Sequence, residues 1–344
     1  MRDLLPAHRP ALVLAPMQAI TDLPFMRVLA RRSLPDWFVC EYFRVHPASS
    51  LNPHILRAIT ENNTGRPVFS QLIGSDLASL RRSAVMLEGY PVAGIDLNLG
   101  CPAPIVCRKA AGGALLRDLE ALNRLLGGLR EVIAGRFTVK TRVGYVGSDE
   151  FAGLLEIFRR HAIDGLTIHA RSVHERYQGP VHTDCVLAAV GTLSCPVIAN
   201  GNIVDVPSGL AYHRRSRAAG LMIGRGAIRN PWIFGQLRAA FCGGELIIPT
   251  YRDLLSYVRD LSEEIAREAP RYEPLGHVQR MKRTLGYVSH GLDPVFEHGV
   301  RRCVKPAELW AICEAHLSSD EALPSRPPED SKLFSGFAKL TEET

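Results

Sequence analysis

A cysteine-proline pair at the end of a strand-like run is the feature of this 344-residue sequence that most directly suggests chemistry. The apolar run "GIDLNL" (94–99) is followed by Gly100, Cys101 and Pro102. A free cysteine is more often a buried apolar side chain than a reactive group. The position of the Cys101 thiol in the fold therefore has to decide between packing and catalysis.

Polar or reactive residues also follow most of the other strand-like runs. In chain order they are Pro16 and Met17, Glu41 and Tyr42, Gln71, Asn98, Lys140 and Arg142, His169 and Arg171, Asn200 to Asn202, and Gly224 with Arg225. A structural protein would not be expected to place such groups at almost every strand end. The pattern favours an enzyme whose site lies where the strands end.

Two glycine-containing stretches late in the chain could bind a phosphate group. They are "IANGNI" (198–203) and "IGRGAIRNP" (223–231). The glycines allow close approach of the backbone, and Arg225 offers a bidentate partner for an anion. Barrel enzymes commonly bind phosphate in the loops after strands seven and eight. From these residues alone the phosphate could belong to a cofactor or to a substrate.

Lys140 lies within a strand-like run and would point inward if that run is a barrel strand. Burial of an unpaired ammonium is costly, so the residue needs a partner or a function. It could form a Schiff base, pair with a carboxylate, or place a positive charge beside an electron-rich ring. Together with the amides of Gln71 and Asn98 and the ring of His169, it offers hydrogen-bonding edges for a flat heterocycle. A flavin fits this set, because a nearby cation stabilises its anionic reduced form.

The elements that would position these residues are short β-type runs alternating with helical patterns. We predict strands at 11–16, 38–42, 68–72, 94–99, 138–143, 165–170, 196–200 and 220–226. Most are rich in apolar residues, as is typical of parallel strands buried on both faces. Leucines with helical spacing from 115 to 133 predict an amphipathic crossover helix. Eight such units predict a (β/α)8 TIM barrel, with a doubly wound sheet as the alternative.

The pattern becomes mainly helical after the last strand-like run. We assign 1–240 to the barrel, 245–317 to a small all-helical C-terminal domain and 318–344 to a mobile acidic tail. The segment from Ser319 carries three basic and six acidic residues, so the rest of the chain carries +9 against +6 overall. A net positive charge of this size is expected of a protein that binds RNA or a phosphorylated ligand, but an ordinary basic surface without a binding role accounts for it equally well.

Composition excludes several classes of protein. No apolar run of about 18 residues is present and the N-terminus lacks a signal-peptide core, so we expect a cytoplasmic protein with no membrane partner. The eight cysteines form no C-x-x-C pair and the histidines form no paired ligand motif, so neither a disulfide framework nor a metal site is expected. A Rossmann G-x-G-x-x-G is absent between any strand and helix. We expect a monomer.

The sequence resembles the flavin-dependent tRNA-dihydrouridine synthases. The resemblance is carried, in order, by "LAPMQAITDLPF" (14–25), "DLNLGCP" (96–102), "VKTRVG" (139–144), "IHARS" (168–172), "VIANGNI" (197–203) and "MIGRGAIRNP" (222–231). The stretches "EYFRV" (41–45), "GGALL" (112–116) and "HVQRMKRTLGYV" (277–288) look most like the subgroup that acts on U16 of the D-loop.

The resemblance implies a role for each matching residue. FMN would be held by Pro16, Met17, Gln71, Lys140, His169, Asn200, Gly201, Asn202, Gly224 and Arg225. NADPH would reduce the flavin, hydride would pass to C6 of a uracil ring, and Cys101 would protonate C5. Substrate contacts would come from Asn98, Arg142, Arg171, Arg280 and Arg283, the last two from a helical domain that grips tRNA. A thiol with an ordinary pKa of about 8.5 is mostly protonated at neutral pH and can serve as this acid.

The sequence departs from the family pattern at three positions. Pro104 stands where lysine is frequent, Ala19 where glycine is usual and Ser172 where threonine is usual. The first change would remove a substrate or loop contact. Two other functions stay open: an FMN barrel oxidoreductase acting on a small molecule, such as a dihydroorotate or dihydropyrimidine dehydrogenase, and an RNA-binding protein with a non-catalytic barrel.

Overall fold

The computed structural model describes residues 1–268 and 274–335. Its strands are β1 (Ala11–Leu14), β2 (Trp37–Val39), β3 (Phe43–Arg44), β4 (Val68–Ile73), β5 (Gly94–Leu99), β6 (Phe137–Arg142), β7 (Gly165–His169), β8 (Val197–Asn200) and β9 (Gly220–Ile223). Its α-helices are α1 (Leu23–Ala30), α2 (Pro53–Thr60), α3 (Leu77–Glu88), α4 (Pro104–Cys107), α5 (Leu119–Arg130), α6 (Phe151–Arg160), α7 (Thr183–Thr192), α8 (Val206–Ser216), α9 (Arg225–Arg229), α10 (Ile233–Cys242), α11 (Tyr251–Glu268), α12 (Pro274–Val288), α13 (Pro294–Arg302), α14 (Pro306–Leu317) and α15 (Lys332–Ser335). Short 3-10 helices span Arg2–Leu4, Gly112–Arg117 and Ser148–Glu150.

The strands form a closed parallel barrel. β1 pairs with both β2 and β9, β2 pairs with β4, and the pairs from β4 to β9 follow chain order, so eight strands close on themselves. This confirms the predicted (β/α)8 barrel, and each predicted strand has a counterpart. β3, which pairs with β4, was not predicted because two residues are too few to produce a recognisable apolar run.

Apolar side chains fill part of the barrel interior. Val13, Trp37, Phe69, Ile198 and Met222 belong to one buried cluster contributed by five strands. The side chains of the N-terminal residues pack against this cluster; they include Met1, Leu4 and Leu5. The apolar strand runs of the sequence are therefore buried as expected for a packed barrel core.

The predicted crossover helix between β5 and β6 is divided into two pieces. A 3-10 helix spans Gly112–Arg117, and α5 begins after Asp118, whose carboxylate accepts a hydrogen bond of 2.9 Å from the Ala121 N–H. Helical spacing of leucines alone could not show this break, because the apolar face continues across it.

Contacts divide the chain into two compact units that interleave in sequence. The first contains Met1–Leu23, Pro35–Ile203 and Gly209–Gly224, and the second contains Pro24–Leu34, Val204–Ser208 and Arg225–Thr344. The second unit therefore takes up most of α1 together with α9 and α10, which differs from the predicted ranges 1–240 and 245–317. Composition follows chain order and cannot show that α1 contacts helices more than 200 residues away.

A buried carboxylate joins α1 to α11 within the second unit. Glu264 is fully buried and accepts hydrogen bonds from Arg31 and, at 2.6 Å, from Arg267. Arg27 lies 3.7 Å from its other oxygen and donates to Glu268 at 2.6 Å. Because a buried carboxylate requires charged partners, this cluster explains the position of α1.

The acidic C-terminal segment folds back on the second unit as far as it is described. The Leu323 N–H donates to the Pro249 carbonyl at 2.8 Å, Arg252 pairs with Asp320 at 2.6 Å, and Leu333 is buried. The composition of this segment predicted that it would be mobile, because composition alone does not show that Leu333 is buried. Residues 336–344 lie outside the described residues.

Candidate active site at the carboxyl ends of the strands

Three neighbouring strands place a line of buried polar side chains close to Cys101. In the barrel register Gln71 of β4 lies opposite Asp96 of β5, which lies opposite Thr138 of β6. The Gln71 Nε2 donates to Asp96 Oδ2 at 2.7 Å, and the Thr138 hydroxyl donates to Asp96 Oδ1 at 2.6 Å. Both carboxylate oxygens of Asp96 are therefore hydrogen-bonded, as a buried ionised carboxyl requires.

The same line continues to the backbone of the cysteine loop. The Asn98 Nδ2 donates to Gln71 Oε1 at 2.8 Å. Its Oδ1 accepts from the N–H groups of Gly100 and Cys101 at 3.0 and 2.9 Å. Asn98 was predicted to contact substrate; its side-chain amide binds Gln71 and the turn that carries Cys101.

The cysteine loop is packed closely against the stretch that follows it. The Cys101 carbonyl accepts from the Gly113 N–H at 3.0 Å and from the Cys107 Sγ at 3.6 Å. A Cβ on Gly113 would lie 2.5 Å from a methyl carbon of Val173, so no larger residue fits there. The Gly-Gly pair of the sequence is thus required by close approach rather than by the start of a helix.

Cys101 is half-buried, and its surroundings keep the thiol protonated. Burial raises the pKa of Cys101, while a hydrogen bond from the Ala103 backbone and the positive charges of Arg142, Arg44 and Lys140 oppose the rise. The net direction is upward, so the thiol is protonated at neutral pH. A group in this state can donate a proton.

The carboxylate of Asp96 on β5 and the ammonium of Lys140 on β6, two residues further along the paired strands, influence each other's charge. Burial raises the pKa of Asp96 to about 6, although its hydrogen bonds and the Lys140 charge act in the opposite direction. Burial, together with the charge of Arg142, lowers the pKa of Lys140 to about 8. Lys140 lies opposite Asn98 in the register, one step from the cysteine loop. At neutral pH both groups carry their charges at a cost in solvation.

Two arginines predicted to bind substrate are anchored on backbone carbonyls. Arg142 is only 2% exposed and donates to the carbonyls of Gly100, Ser172 and Arg176 at 2.6 to 2.7 Å. Arg171 is 3% exposed and donates to the Gly179 carbonyl at 2.5 Å. Their guanidinium groups therefore hold loops together, and their contact with substrate stays a prediction.

The loop after β8 contains a turn with two positive φ values. Asn200 ends β8, and its Nδ2 donates to the Met222 carbonyl at 2.8 Å. Gly201 has a φ of +135° and Asn202 a φ of +48°, and Asn202 Oδ1 accepts from Arg171 at 3.2 Å. The positive φ at Gly201 is one that residues other than glycine rarely adopt, so the sequence Asn-Gly-Asn is needed for this turn.

Most of the remaining predicted cofactor residues lie at or just after strand ends, whereas Gln71 lies inside β4 and is fully buried, with its amide bonded to Asp96 and Asn98. The others are Pro16 and Met17 after β1, His169 at the end of β7, Gly224 after β9, and Arg225 at the start of α9. A Cβ on Gly224 would lie 3.4 Å from the Met17 sulfur, so these two loops are adjacent. His169 is 8% exposed and its ring meets the edge of Tyr177 at 6.1 Å. Glycines in left-handed or crowded turns, an amide and a lysine are a set that fits FMN.

The sequence departure at Ala19 has a structural cost. Ala19 has a φ of +57°, in the left-handed region that favours glycine, and its N–H donates to the Glu41 carboxylate at 3.0 Å. This explains why glycine is usual at this position in the family that the sequence resembles.

Sequence analysis missed Asp96 and Thr138. The sequence contained a signal for Asp96, because side chains two residues apart in a strand lie on the same face, and Asp96 and Asn98 are both polar. An aspartate in an otherwise apolar strand run, on the same face as Asn98, indicates a buried polar network.

The basic residues predicted to bind tRNA lie on α12 in the second unit. Arg283 is exposed and Arg280 is half-buried. Between them Lys282 donates to the carbonyls of Arg301 and Cys303, so it caps the end of α13. Of these neighbouring cations, Lys282 has a structural partner, and the role of the two predicted arginines stays untested.

The second unit also contains a cavity of about 450 Å3 lined mainly by apolar residues. Its two buried charges are already used within the unit. Arg229 donates to the carbonyls of Val288 and His290 at 3.1 and 2.6 Å, and Asp205 lies 3.4 Å from Arg326. We assign no ligand to this cavity.

Among residues 1–268 and 274–335, no group of three or more histidine, cysteine, aspartate or glutamate side chains could hold a metal ion. The helices of the same part of the chain include none that is long and apolar enough to cross a membrane.

Comparison with known proteins gives one consistent family. The family model described as dihydrouridine synthase matches residues 13–317. The tRNA-dihydrouridine(16) synthase of Pseudomonas putida is 34% identical over 81% of this chain and 88% of its own length. The tRNA-dihydrouridine synthase B of Xanthomonas axonopodis pv. citri is 31% identical over 93% and 96%. The tRNA-dihydrouridine(16) synthase of Neisseria meningitidis serogroup A is 28% identical over 84% and 89%.

Solved structures share the fold at low sequence identity. A 2-naphthoyl-CoA reductase bound to 2-naphthoyl-CoA has a TM-score of 0.53 and 11% identity, over 68% of this chain and 50% of its own. A variant of morphinone reductase in complex with tetrahydroNAD has a TM-score of 0.50 and 10% identity, over 67% and 87%. These likenesses extend to the barrel fold alone.

Proposed function

The chain belongs to the dihydrouridine synthase family, and on that ground we propose that it reduces a uridine in the D-loop of tRNA to 5,6-dihydrouridine, with FMN as cofactor and NADPH as reductant. The observation that carries the proposal is the half-buried Cys101 just after β5, whose backbone is fixed by the Asn98 side chain. Several relatives are named for position 16, which supports U16 as the target uridine.

The barrel residues that would hold FMN divide into two groups. Gln71, Lys140 and His169 would face the ring system, and the turns at 200–202 and 224–225 would bind the phosphate through backbone N–H groups. When bound, FMN supplies the hydride that is added to C6 of the uracil ring. Lys140 places a positive charge where negative charge accumulates during reduction.

Cys101 would supply the proton that completes the reduction. Addition of hydride to C6 leaves negative charge on C5 and O4 of the ring, and a positioned acid must quench it. The raised pKa of the Cys101 thiol keeps its proton available at neutral pH. Two hydrogen bonds fix the backbone that carries the thiol: the Cys101 N–H donates to Asn98 Oδ1, and the Cys101 carbonyl accepts from the Gly113 N–H.

A single-turnover experiment tests the reaction and its acid. Reduced protein is mixed with tRNA that lacks dihydrouridine, and product is counted by nuclease digestion and mass spectrometry. Cys101→Ala is expected to slow dihydrouridine formation by about 10²- to 10⁴-fold, the usual contribution of a positioned acid. Cys107→Ala is the matched control, since Cys107 is also half-buried and lies at the end of α4, six residues after Cys101. Product at the wild-type rate in the Cys101 variant would refute the proton-donor role.

Two further measurements separate this function from its alternatives. Absorption near ~450 nm in the purified protein would show a bound flavin. If the reduced protein converts orotate or free uracil but leaves tRNA unchanged, the small-molecule oxidoreductase becomes the correct function. If it binds tRNA without flavin or turnover, the chain is a binding protein only.

Binding of tRNA should depend on salt and on the basic residues of α12. Each lost phosphate contact lowers the slope of log affinity against log salt by nearly one. We expect the double change Arg280→Ala and Arg283→Ala to lower the slope by about two. Arg159→Ala is the control, because Arg159 is exposed on α6 and paired with Glu156. An unchanged slope in the double variant would remove α12 from the interface.

The predicted cytoplasmic location and monomeric state accompany this proposal. Both are open to direct measurement, by fractionation and by sedimentation of the purified chain.

A further inference from the structure

We propose that Asp96 is a positioning residue: it terminates a one-way chain of hydrogen bonds that fixes the backbone of Gly100 and Cys101 and so aims the Cys101 thiol. The chain runs from these two amides through Asn98 and Gln71 to the Asp96 carboxylate. Its importance for catalysis rests on the proposed role of Cys101, whereas the chain itself rests on the contacts alone.

The direction of the chain is fixed at the cysteine end. The N–H groups of Gly100 and Cys101 can only donate, so the side-chain atom of Asn98 that faces both must be its oxygen. The Asn98 nitrogen then faces Gln71, which must present its own oxygen in return. The Gln71 nitrogen is left pointing at residue 96 and requires an acceptor there.

The direction is also fixed at the other end. An ionised carboxylate accepts and never donates, so Asp96 satisfies Gln71 and the Thr138 hydroxyl at the same time. All four side chains are at least nine-tenths buried; their exposed fractions are 0% for Gln71, 3% for Asp96, 6% for Thr138 and 7% for Asn98. Water is therefore a poor substitute for a lost partner, and a break at Asp96 must be transmitted along the chain.

A second account of Asp96 gives a different prediction. Its charge attracts the Lys140 ammonium, so Asp96 could instead act only as a counter-charge. The two accounts separate at Asp96→Asn. An asparagine can still offer its oxygen to Gln71, with its nitrogen facing Thr138, whose hydroxyl is also an acceptor. It keeps the direction of the chain and removes the charge.

The test is hydrogen exchange of the cysteine loop in the full-length protein as purified. A proteolytic peptide covering 98–103 reports the amides of Gly100, Cys101 and Ala103, because the first two residues of a peptide retain no label and Pro102 has no amide. We expect Asp96→Ala to accelerate exchange in this peptide by about tenfold, the effect of losing one buried hydrogen bond. Asp96→Asn is expected to stay within about threefold of wild type.

Ser70→Ala is the matched control for general loosening of the barrel. Ser70 is fully buried in β4, next to Gln71 in sequence but on the opposite face, and its hydroxyl contacts the Gly94 carbonyl. Its replacement should leave exchange of the peptide unchanged. Wild-type protein stripped of flavin supplies the baseline for any variant that loses the cofactor.

Each outcome decides the proposal. Unchanged exchange in Asp96→Ala overturns the chain, and equal acceleration in the alanine and asparagine variants overturns it in favour of the counter-charge. If Asp96→Ala does not fold, Gln71→Leu breaks the chain without a change in charge, and its exchange decides in the same way. The measurement needs no turnover, so failure of the proposed reaction and failure of the positioning role are distinguishable.

Discussion

The buried Asp96 carboxyl should make the protein less stable as pH rises from about 4 to about 7. Burial raises the pKa of Asp96 from an ordinary value of 3.8 to about 6. A difference of about two pKa units corresponds to ~3 kcal/mol. With 3% of its surface exposed, Asp96 receives little solvent screening, so this magnitude needs no large reduction.

The sign follows from which state keeps its proton. Below pH 4 the carboxyl is protonated in both states and contributes no pH dependence. Between about 4 and 6 the unfolded chain loses the proton while the folded protein retains it, so unfolding becomes more favourable as pH rises. Above pH 6 the folded protein also ionises, and the full cost of the buried charge is present.

Asp96→Asn removes this titration and tests the argument. The free energy of unfolding of wild type, minus that of the variant, should fall by about 2–3 kcal/mol between pH 4.5 and 7.5. Urea unfolding followed by circular dichroism and by fluorescence gives both values, provided that the two probes coincide.

A second aspartate supplies a control of opposite sign. Asp76 caps α3, and its hydrogen bonds with Ser79 lower the pKa of the carboxyl. The same subtraction for Asp76→Asn should therefore rise with pH below about 4.5, where the unfolded chain binds the proton and the folded protein does not, and should stay flat between 4.5 and 7.5. A flat or rising difference for Asp96 would refute the reasoning, because hydrogen bonds and the Lys140 charge would then outweigh burial.

Three other predictions concern stability and cofactor binding. Glu264→Gln should lower the free energy of unfolding by about 1–3 kcal/mol, because it removes the buried charge that accepts from the partly exposed Arg31 and Arg267, whereas the exposed Glu263→Gln should change it by less than about 0.5 kcal/mol; urea unfolding compares the two. Ala19→Gly should raise the free energy of unfolding by up to about 1 kcal/mol, because glycine tolerates the left-handed backbone. A lower free energy of unfolding would contradict the idea that Ala19 is strained. Gly201→Ala should lower the free energy of unfolding by about 1–3 kcal/mol and weaken the retention of flavin on dialysis. Gly191→Ala, in an open position on α7, should have neither effect.

Most of the barrel could be predicted because its strands carry their own signal. Runs such as 11–14 and 220–223 are apolar and buried on both faces, as is typical of a parallel sheet covered by helices. The helix α1 shows the limit of this reasoning. Its sequence is amphipathic, but the charged partner that places it in the second unit, Glu264, lies more than 200 residues away.

The positions of the site residues followed from the fold, whereas their partners did not. Parallel strands end on one face of a barrel, so Cys101, Lys140 and His169 had to approach the same edge. Which of them bonds to which depends on register between strands, and register depends on contacts that no single strand contains.

The arginines show most clearly why charge in a sequence does not indicate function. Arg142 and Arg171 lie at strand ends, where a substrate-binding cation would be expected. Arg142 donates to the Gly100 carbonyl beside Cys101, and Arg171 donates to the Gly179 carbonyl and to the side-chain oxygen of Asn202. A guanidinium satisfies several carbonyls at once and stays charged when buried, so it is as suitable for holding a loop as for binding a phosphate. The two roles need not exclude each other: loops held in this way keep Cys101 and the turn at 200–202 in fixed positions. The arginines therefore support the proposed chemistry by limiting the motion of the groups that would perform it.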